Sequence, residues 1–261
     1  MKRRLLASLL TLVMMLSLLP TAVWAADTGS GEEGTSRETA TSKELDLADG
    51  SIVISASGYT QYKESGNVSE DSDDGNYTIK QTNSTTATTN TITVAGGDHT
   101  ITLNGVNIDV SGVSAGIPCA FAIEGGNVTV ALADDTVNTL KSGLIDNEMT
   151  GISCAGLWVG QNASLTITGN SGKLIAVGGG TGSHHFGNAA KAAGIGASRV
   201  YGSSYDKKYN TVGDITIVGG IVEATGSKAS DYGGPGIGGG TNASTITISG
   251  GTITATSGSN E

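Results

Sequence analysis

The chain has 261 residues, of which 41 are glycine, 3 proline and only 4% aromatic, and its formal net charge is −10. Glycine at more than twice its ordinary frequency, without a third-position repeat or abundant proline, excludes collagen, and a hydrophobic content of 37% is too low for a thick helical core. Short Val, Ile and Leu runs recur through the C-terminal two thirds, so the chain is not disordered throughout.

Lys2, Arg3 and Arg4 precede an apolar run from Leu5 to Leu19, followed by Pro20 and the small-residue site Val23-Trp24-Ala25. This is the three-part pattern of a secretory signal peptide, with cleavage expected after Ala25, and it predicts a secreted or cell-surface protein. No later stretch is long and apolar enough to span a bilayer, so no membrane insertion is expected after cleavage. Loss of three basic residues leaves 11 Lys and Arg against 24 Asp and Glu, a net charge of −13. Such a surface repels nucleic acid and anionic lipid. A polyanionic ligand would need bridging cations; a neutral glycan would not.

Residues 26–44 are polar and aperiodic and read as a disordered linker, with order expected from Leu45 to the end of the chain. Ile52 to Ile54 and Tyr77 to Lys80 read as strands around the acidic segment Ser69 to Asn76.

Beyond them, three short strand-like runs recur five times as a set. The first set is TITV at Thr91, HTITL at His99 and VNIDV at Val106; the second is CAFAI at Cys119, NVTVAL at Asn127 and VNTLK at Val137. The third is AGLWV at Ala155, SLTIT at Ser164 and KLIAV at Lys173. The fourth is AAGIGAS at Ala192, DITIV at Asp214 and IVEAT at Ile221, and the fifth is GGPGIGGG at Gly233, STITI at Ser244 and TITAT at Thr252. With Ile92, Phe121, Leu157, Ile195 and Ile237 taken as equivalent, the spacings are 29, 36, 38 and 42 residues. Apolar residues alternate with Thr, Ser, Asn or Asp within each run, so one face is buried and the other wet. Three such strands joined by glycine-rich bends cannot close a domain alone, but stacked on their own copies they can. The expected architecture is all-β: a single-stranded right-handed parallel β-helix of about five three-strand rungs. An antiparallel β-sandwich is the competing fold, and it predicts even strand spacing rather than triplets.

The runs GVNIDVSG, CAFAIEGGNVTV, TLKSG, CAGLWV, NASLTITG, GGPGIGGG and GGTITATSG resemble secreted parallel β-helix carbohydrate-binding domain proteins of Gram-positive bacteria, over roughly Leu45 to Gly258. The resemblance implies export, the β-helix, and binding of polygalacturonate with calcium. The matching residues are core and bend positions, so it is specific for fold and loose for ligand.

Several residues are candidates for chemistry. Cys119 and Cys154 each open a first strand in successive sets, where a disulfide or a pair of small buried thiols would fit. Gly234, Gly236 and Gly239 have the spacing of a dinucleotide fingerprint, but no helical pattern follows, so they read as bend glycines. Asp71, Asp73 and Asp74 resemble a calcium loop, yet the twelfth position is Thr82, which excludes an EF-hand. Asp134, Asp135, Asp146, Glu148 and Asp231 lie in bends where neighbouring rungs could gather oxygen ligands for Ca2+, and solvated turn acids are the alternative. Adjacent His184 and His185 read as a loop pair. Arg199, Tyr201, Tyr205, Lys207, Lys208 and Tyr209 occupy a long excursion in the fourth set, where aromatic faces could stack on sugars and cations could reach carboxylates; a packing flap is the alternative.

The functional expectation is a non-catalytic exported module binding plant or host polysaccharide such as polyuronate, assisted by calcium. A pectin lyase-like or glycoside hydrolase enzyme on the same fold is a second class, for which Arg199 is the only available basic arginine near the repeats. A structural surface adhesin or stalk is the third. The fifth set carries no capping segment after it, so end-to-end self-association is a further expectation.

Overall fold

The computed structural model describes residues 42–71, 75–114, 116–147, 150–180, 191–201, 207–229 and 233–259. The signal segment, most of the linker, and residues Asp73, Asp74, His184, His185, Glu148, Tyr205 and Asp231 lie outside that set. The described residues are all-β: strands joined by turns and two short 3-10 turns, Leu47–Asp49 and Lys207–Asn210, with no α-helix. The first strand, Lys43–Asp46, begins two residues before the expected start of order at Leu45. Among the described residues no helix is long and apolar enough to cross a membrane.

Most strands belong to a curled sheet in which neighbours run parallel and in register. Ile52, Ile92, Phe121, Leu157, Ile195 and Ile237 stand one above the other, the spacing the repeats predict with Ile52 added at the start. A second column runs Tyr77, Ile101, Val130, Ile167, Ile217, Ile248. A separate five-stranded parallel sheet carries Ile108, Leu140, Ala176, Ala224 and Ala255. Members of these columns form one core, dry from Leu45 to Ala224, because equal side chains stacked at the strand spacing of about 4.8 Å fill the interior without large aromatics. The alternate positions face outward. Thr100, Thr129, Thr166, Thr216 and Thr247 form a threonine column, and beside it Asp98, Asn127 and Ser164 are joined by side-chain hydrogen bonds from one strand to the next.

Two features depart from the sequence reading. The first two strands of the second and third sets are not separated by glycine bends: each pair is one long strand, Phe121–Leu132 and Leu157–Gly169, paired along its length apart from a one-residue bulge after Val159. Gly126, at φ +86°, lies so close to the bend before the His99–Asn104 strand that a Cβ there would meet the Gly97 carbonyl oxygen at 1.9 Å, so only glycine fits where the ladder crosses this left-handed residue. The second departure is antiparallel pairing beside the columns, in one case from a column strand itself. Gly50–Ser55, Gly58–Lys63 and Val68–Asp71 form a meander at the N-terminal side, and Leu144–Asn147, Thr150–Ser153 and Arg199–Tyr201 form a small three-stranded sheet. The meander shares its first strand with the Ile52 column, and the small sheet joins a hairpin of the second set to a strand of the fourth, pairings that the repeat periodicity does not register.

Candidate functional site

The tyrosine- and lysine-bearing excursion is built on an outward tryptophan. Leu157 and Val159 point into the main core, so Trp158 between them points the other way, and its in-register neighbours Ala122 and Gly196 are small enough to leave it room. The 3-10 turn Lys207–Asn210 closes over it: the Tyr209 ring stands 4.6 Å from the Trp158 ring, centroid to centroid, and both are almost wholly buried. Asn210 secures the turn by accepting from the Val200 amide at 2.7 Å and donating to the Val200 carbonyl at 3.1 Å. Lys208 lies 5.2 Å from the Tyr209 ring centroid, with its Nζ 3.6 Å from Glu124 Oε1.

Of the excursion, the described turn Lys207–Asn210 packs through Tyr209 over a satellite apolar cluster. Tyr209 therefore has no open face for a sugar, and the stacking role expected of it is corrected: its ring is used to cover Trp158. Arg199 is half-buried on the strand that pairs with Ser153, and its Nε is buried without a hydrogen-bond partner. Lys208 keeps an exposed ammonium beside Glu124. Tyr201 and Lys207 fall on the Arg199–Tyr201 strand and the 3-10 turn, and their side chains lie outside the described residues. Trp158 and Glu124, which complete the cluster, carry no sequence signal beyond their place on the repeat strands.

Cys119 and Cys154 belong to the same satellite cluster, and both are buried free thiols rather than the disulfide that was one of the two expectations. Counting back from the Phe121–Leu157 pair, the residue in register with Cys119 is Ala155, so Cys154 is one position out of step. Cys119 Sγ also lies 3.8 Å from Ser198 Oγ. Burial pushes the Cys154 thiol well above its ordinary value, and the hydrogen bond and charge interaction with Cys119 push it the same way.

The open site is elsewhere. A cleft of about 530 Å³ runs along the corner between the sheets. It is lined by three successive rungs: Gln81, Ser84 and Thr85 on one side, Asn104, Gly105 and Asn107 in the middle, and Asp135, Thr136, Val137 and Thr139 on the other side. Buried amides hold these walls. Gln81 accepts from the Asn107 amide at 2.7 Å and donates to the Thr86 carbonyl at 2.8 Å, while Asn107 Nδ2 donates to the Ser84 carbonyl at 2.9 Å. Asn138, fully buried, accepts from the Gly105 and Val106 amides. Asn83 and Asp135, the only non-glycine residues with positive φ among the described ones, at 61° and 58°, flank the cleft. Asn and Asp are the residues that tolerate this conformation.

The lining is hydroxyl and amide with one apolar side chain, Val137 at 53% exposure, and one carboxylate, Asp135. Of the acids expected to gather calcium, Asp135 lines this cleft, whereas Asp134 stands beside it and accepts from the Ser171 amide at 3.1 Å. Asp146 lies on the Leu144–Asn147 strand of the small antiparallel sheet, and its side chain lies outside the described residues. Among the described residues no three acids, histidines or cysteines come together as a metal cage. The donor set at the cleft is thus one carboxylate among neutral oxygens, which suits a hard cation only when a ligand supplies further oxygens. The lining residues Asn104, Asn107 and Thr139 were passed over in sequence because each is an ordinary outward residue of a repeat; only their convergence across rungs distinguishes them.

Set against known proteins, the chain matches no family model, no curated protein and no solved structure.

Proposed function

We propose that this chain is an exported, non-catalytic carbohydrate-binding protein folded as a right-handed parallel β-helix, with the Asn104–Asp135 cleft as its glycan subsite. The in-register columns of Ile, Val and Leu and the right-handed preference of parallel crossovers support the β-helix. The signal pattern of residues 1–25 supports export. The observation that carries the binding reading is the composition of the cleft: amides and hydroxyls on fixed backbone supply donors and acceptors for sugar hydroxyls, and Val137 with the threonine methyls offers an apolar strip for the sugar's C–H face. Among the described residues no cationic side chain lines the cleft, so a neutral glycan binds directly, while a polyuronate binds through calcium shared between Asp135 and the sugar carboxylates.

Glycan-array binding followed by calorimetry, with and without calcium, tests the proposal. Retention of a glycan that is weakened roughly 5- to 150-fold by Asn107→Ala with Thr139→Val is expected, from loss of about 1–3 kcal/mol of hydrogen bonding. No retention in either condition refutes the binding reading, and a flat calcium titration refutes the ion. Release of an unsaturated uronide, read by its ultraviolet absorbance, would instead indicate a lyase.

A further inference from the structure

We infer that the pocket in front of His99 is a second ligand subsite, selective for a primary ammonium group of the kind carried by a deacetylated amino sugar. The pocket itself calls only for the ammonium; that a sugar carries it rests on the glycan reading above.

His99 opens the strand His99–Asn104 and is only 7% exposed, its ring packed edge-on to Tyr77 with the centroids 5.7 Å apart. Its Nε2 lies 3.0 Å from the Gly96 carbonyl oxygen. A carbonyl can only accept, so in the neutral ring Nε2 carries the proton and Nδ1 presents a lone pair. That Nδ1 is buried and has no hydrogen-bond partner. A buried acceptor left unpaired is costly, and here it points to a donor that arrives from outside the chain.

Nδ1 faces the side-chain space that Gly75 leaves open. A Cβ built on Gly75 would stand 3.8 Å from Nδ1 and 2.9 Å from the Asp98 carbonyl oxygen, and a φ of +61° disfavours most side chains there in any case. Two acceptors thus converge on one space, at the wall of a pocket of about 320 Å³.

The Asp98 carboxylate lines the same pocket. Its Oδ1 accepts from the Asn127 backbone amide at 3.2 Å and from Asn127 Nδ2 at 2.8 Å, and among the described residues no donor reaches Oδ2. Asn76, Thr100 and Thr129 add neutral amide and hydroxyl groups, and no described Lys or Arg lines the pocket. The lining therefore offers one negative charge and an excess of acceptors, which an ammonium answers with one positive charge and three donors. A structural zinc ion would want four protein ligands and a catalytic one three, and no such cluster of acids, histidines and cysteines is present among the described residues. The pocket and the Asn104–Asp135 cleft lie at opposite ends of the strand His99–Asn104, roughly 17 Å apart at about 3.3 Å per residue, with Thr100, Thr102 and Asn104 facing outward along it. One oligosaccharide can reach both.

Calorimetry on the full chain with a glucosamine oligomer and its fully N-acetylated counterpart tests this. The glucosamine oligomer is expected to bind at least roughly ten-fold tighter, the effect of a charge-assisted hydrogen bond. Asp98→Asn keeps an oxygen for Asn127 and should melt with the parent, yet is expected to erase that preference. His99→Phe keeps a ring beside Tyr77 and removes Nδ1; the same loss is expected at temperatures where it is folded. Asp214→Asn makes an equal charge change in the same outward column, in register beyond Asn127 and Ser164, and is expected to leave the preference intact. Equal affinity for the two oligomers overturns the inference, as does an equal loss in Asp214→Asn, which would mark diffuse attraction to an acidic surface. Zinc binding that depends on His99 without any amine preference would assign a metal instead and likewise overturns it. Asn107→Ala with Thr139→Val, in the cleft, should weaken both oligomers without changing their ratio, so failure of the cleft and failure of this pocket are read separately.

Discussion

The two flanks of the strand columns invite comparison. On one, Trp158, Tyr209, Lys208 and Glu124 gather aromatic rings and opposite charges; on the other, the cleft has neutral side chains, one acid and no aromatic residue. By residue type the first is the better sugar platform, yet its rings are buried against each other, while the second is open. Accessibility, rather than chemical promise, separates the packing cluster from the candidate site. Aromatic residues in a chain with so few of them are drawn to the place where the repeats leave apolar surface outside the main core.

The largest expected effect tests the covered flank. Trp158→Ala removes a fully buried indole and leaves a cavity beneath the 3-10 turn, for an expected loss of about 3–5 kcal/mol. In a chain of this size that lowers the melting temperature by roughly 6–20 °C, measurable by calorimetry. At temperatures where the variant is folded, glycan affinity is expected to match the parent; a selective loss of affinity without loss of stability would break the comparison and return the sugar-binding role to this flank.

Asp135→Asn sharpens the comparison from the other side. Asparagine keeps the left-handed backbone at φ 58°, so stability is expected to change by no more than about 0.5 kcal/mol. Calcium-dependent binding of an acidic glycan should fall while binding of a neutral one persists, as read by calorimetry.

The smallest effect concerns the ion pair beside the cleft wall. Burial draws Asp109 upward, but hydrogen bonds from Ser111 and the Lys141 ammonium, at 2.9 Å, outweigh it and hold the carboxyl below its ordinary range. Because the folded pKa is depressed, the associated stability is present above the unfolded value, about pH 4, and is lost as pH falls through the folded one. The pair is partly exposed, so the difference between parent and Asp109→Asn in acid-dependent melting is expected to stay under about 1 kcal/mol and to shrink in high salt.

How far the sequence reached differs between fold and site. The equivalence of Ile92, Phe121, Leu157, Ile195 and Ile237 was legible because a repeat that stacks on itself must place the same apolar residue at the same height, and the loop insertions that alter the spacing leave the register intact. The merging of two strands into Phe121–Leu132 was not legible, since Gly125 and Gly126 read as a bend in any local rule, and it is pairing with Asn162 and Ala163 of the next rung that carries the ladder across them. The excursion's tyrosine and lysines were visible as a composition, but whether Tyr209 faced water or Trp158 depended on a partner about fifty residues away.

Alternation of Ile and Val with Thr, repeated in sets of three runs, by itself determined which side chains of the repeat strands turn inward and which repeat strands stack, because side-chain direction in a strand follows a period of two. Only the tertiary structure decided which outward residues stay exposed. The cleft exists because Asn107, Asp135 and Thr139 come from two different rungs, and the Lys207–Asn210 turn closes because it meets Trp158, a large side chain turned away from the main core. Both depend on distances between segments remote in the chain, a quantity that no local pattern of residues encodes.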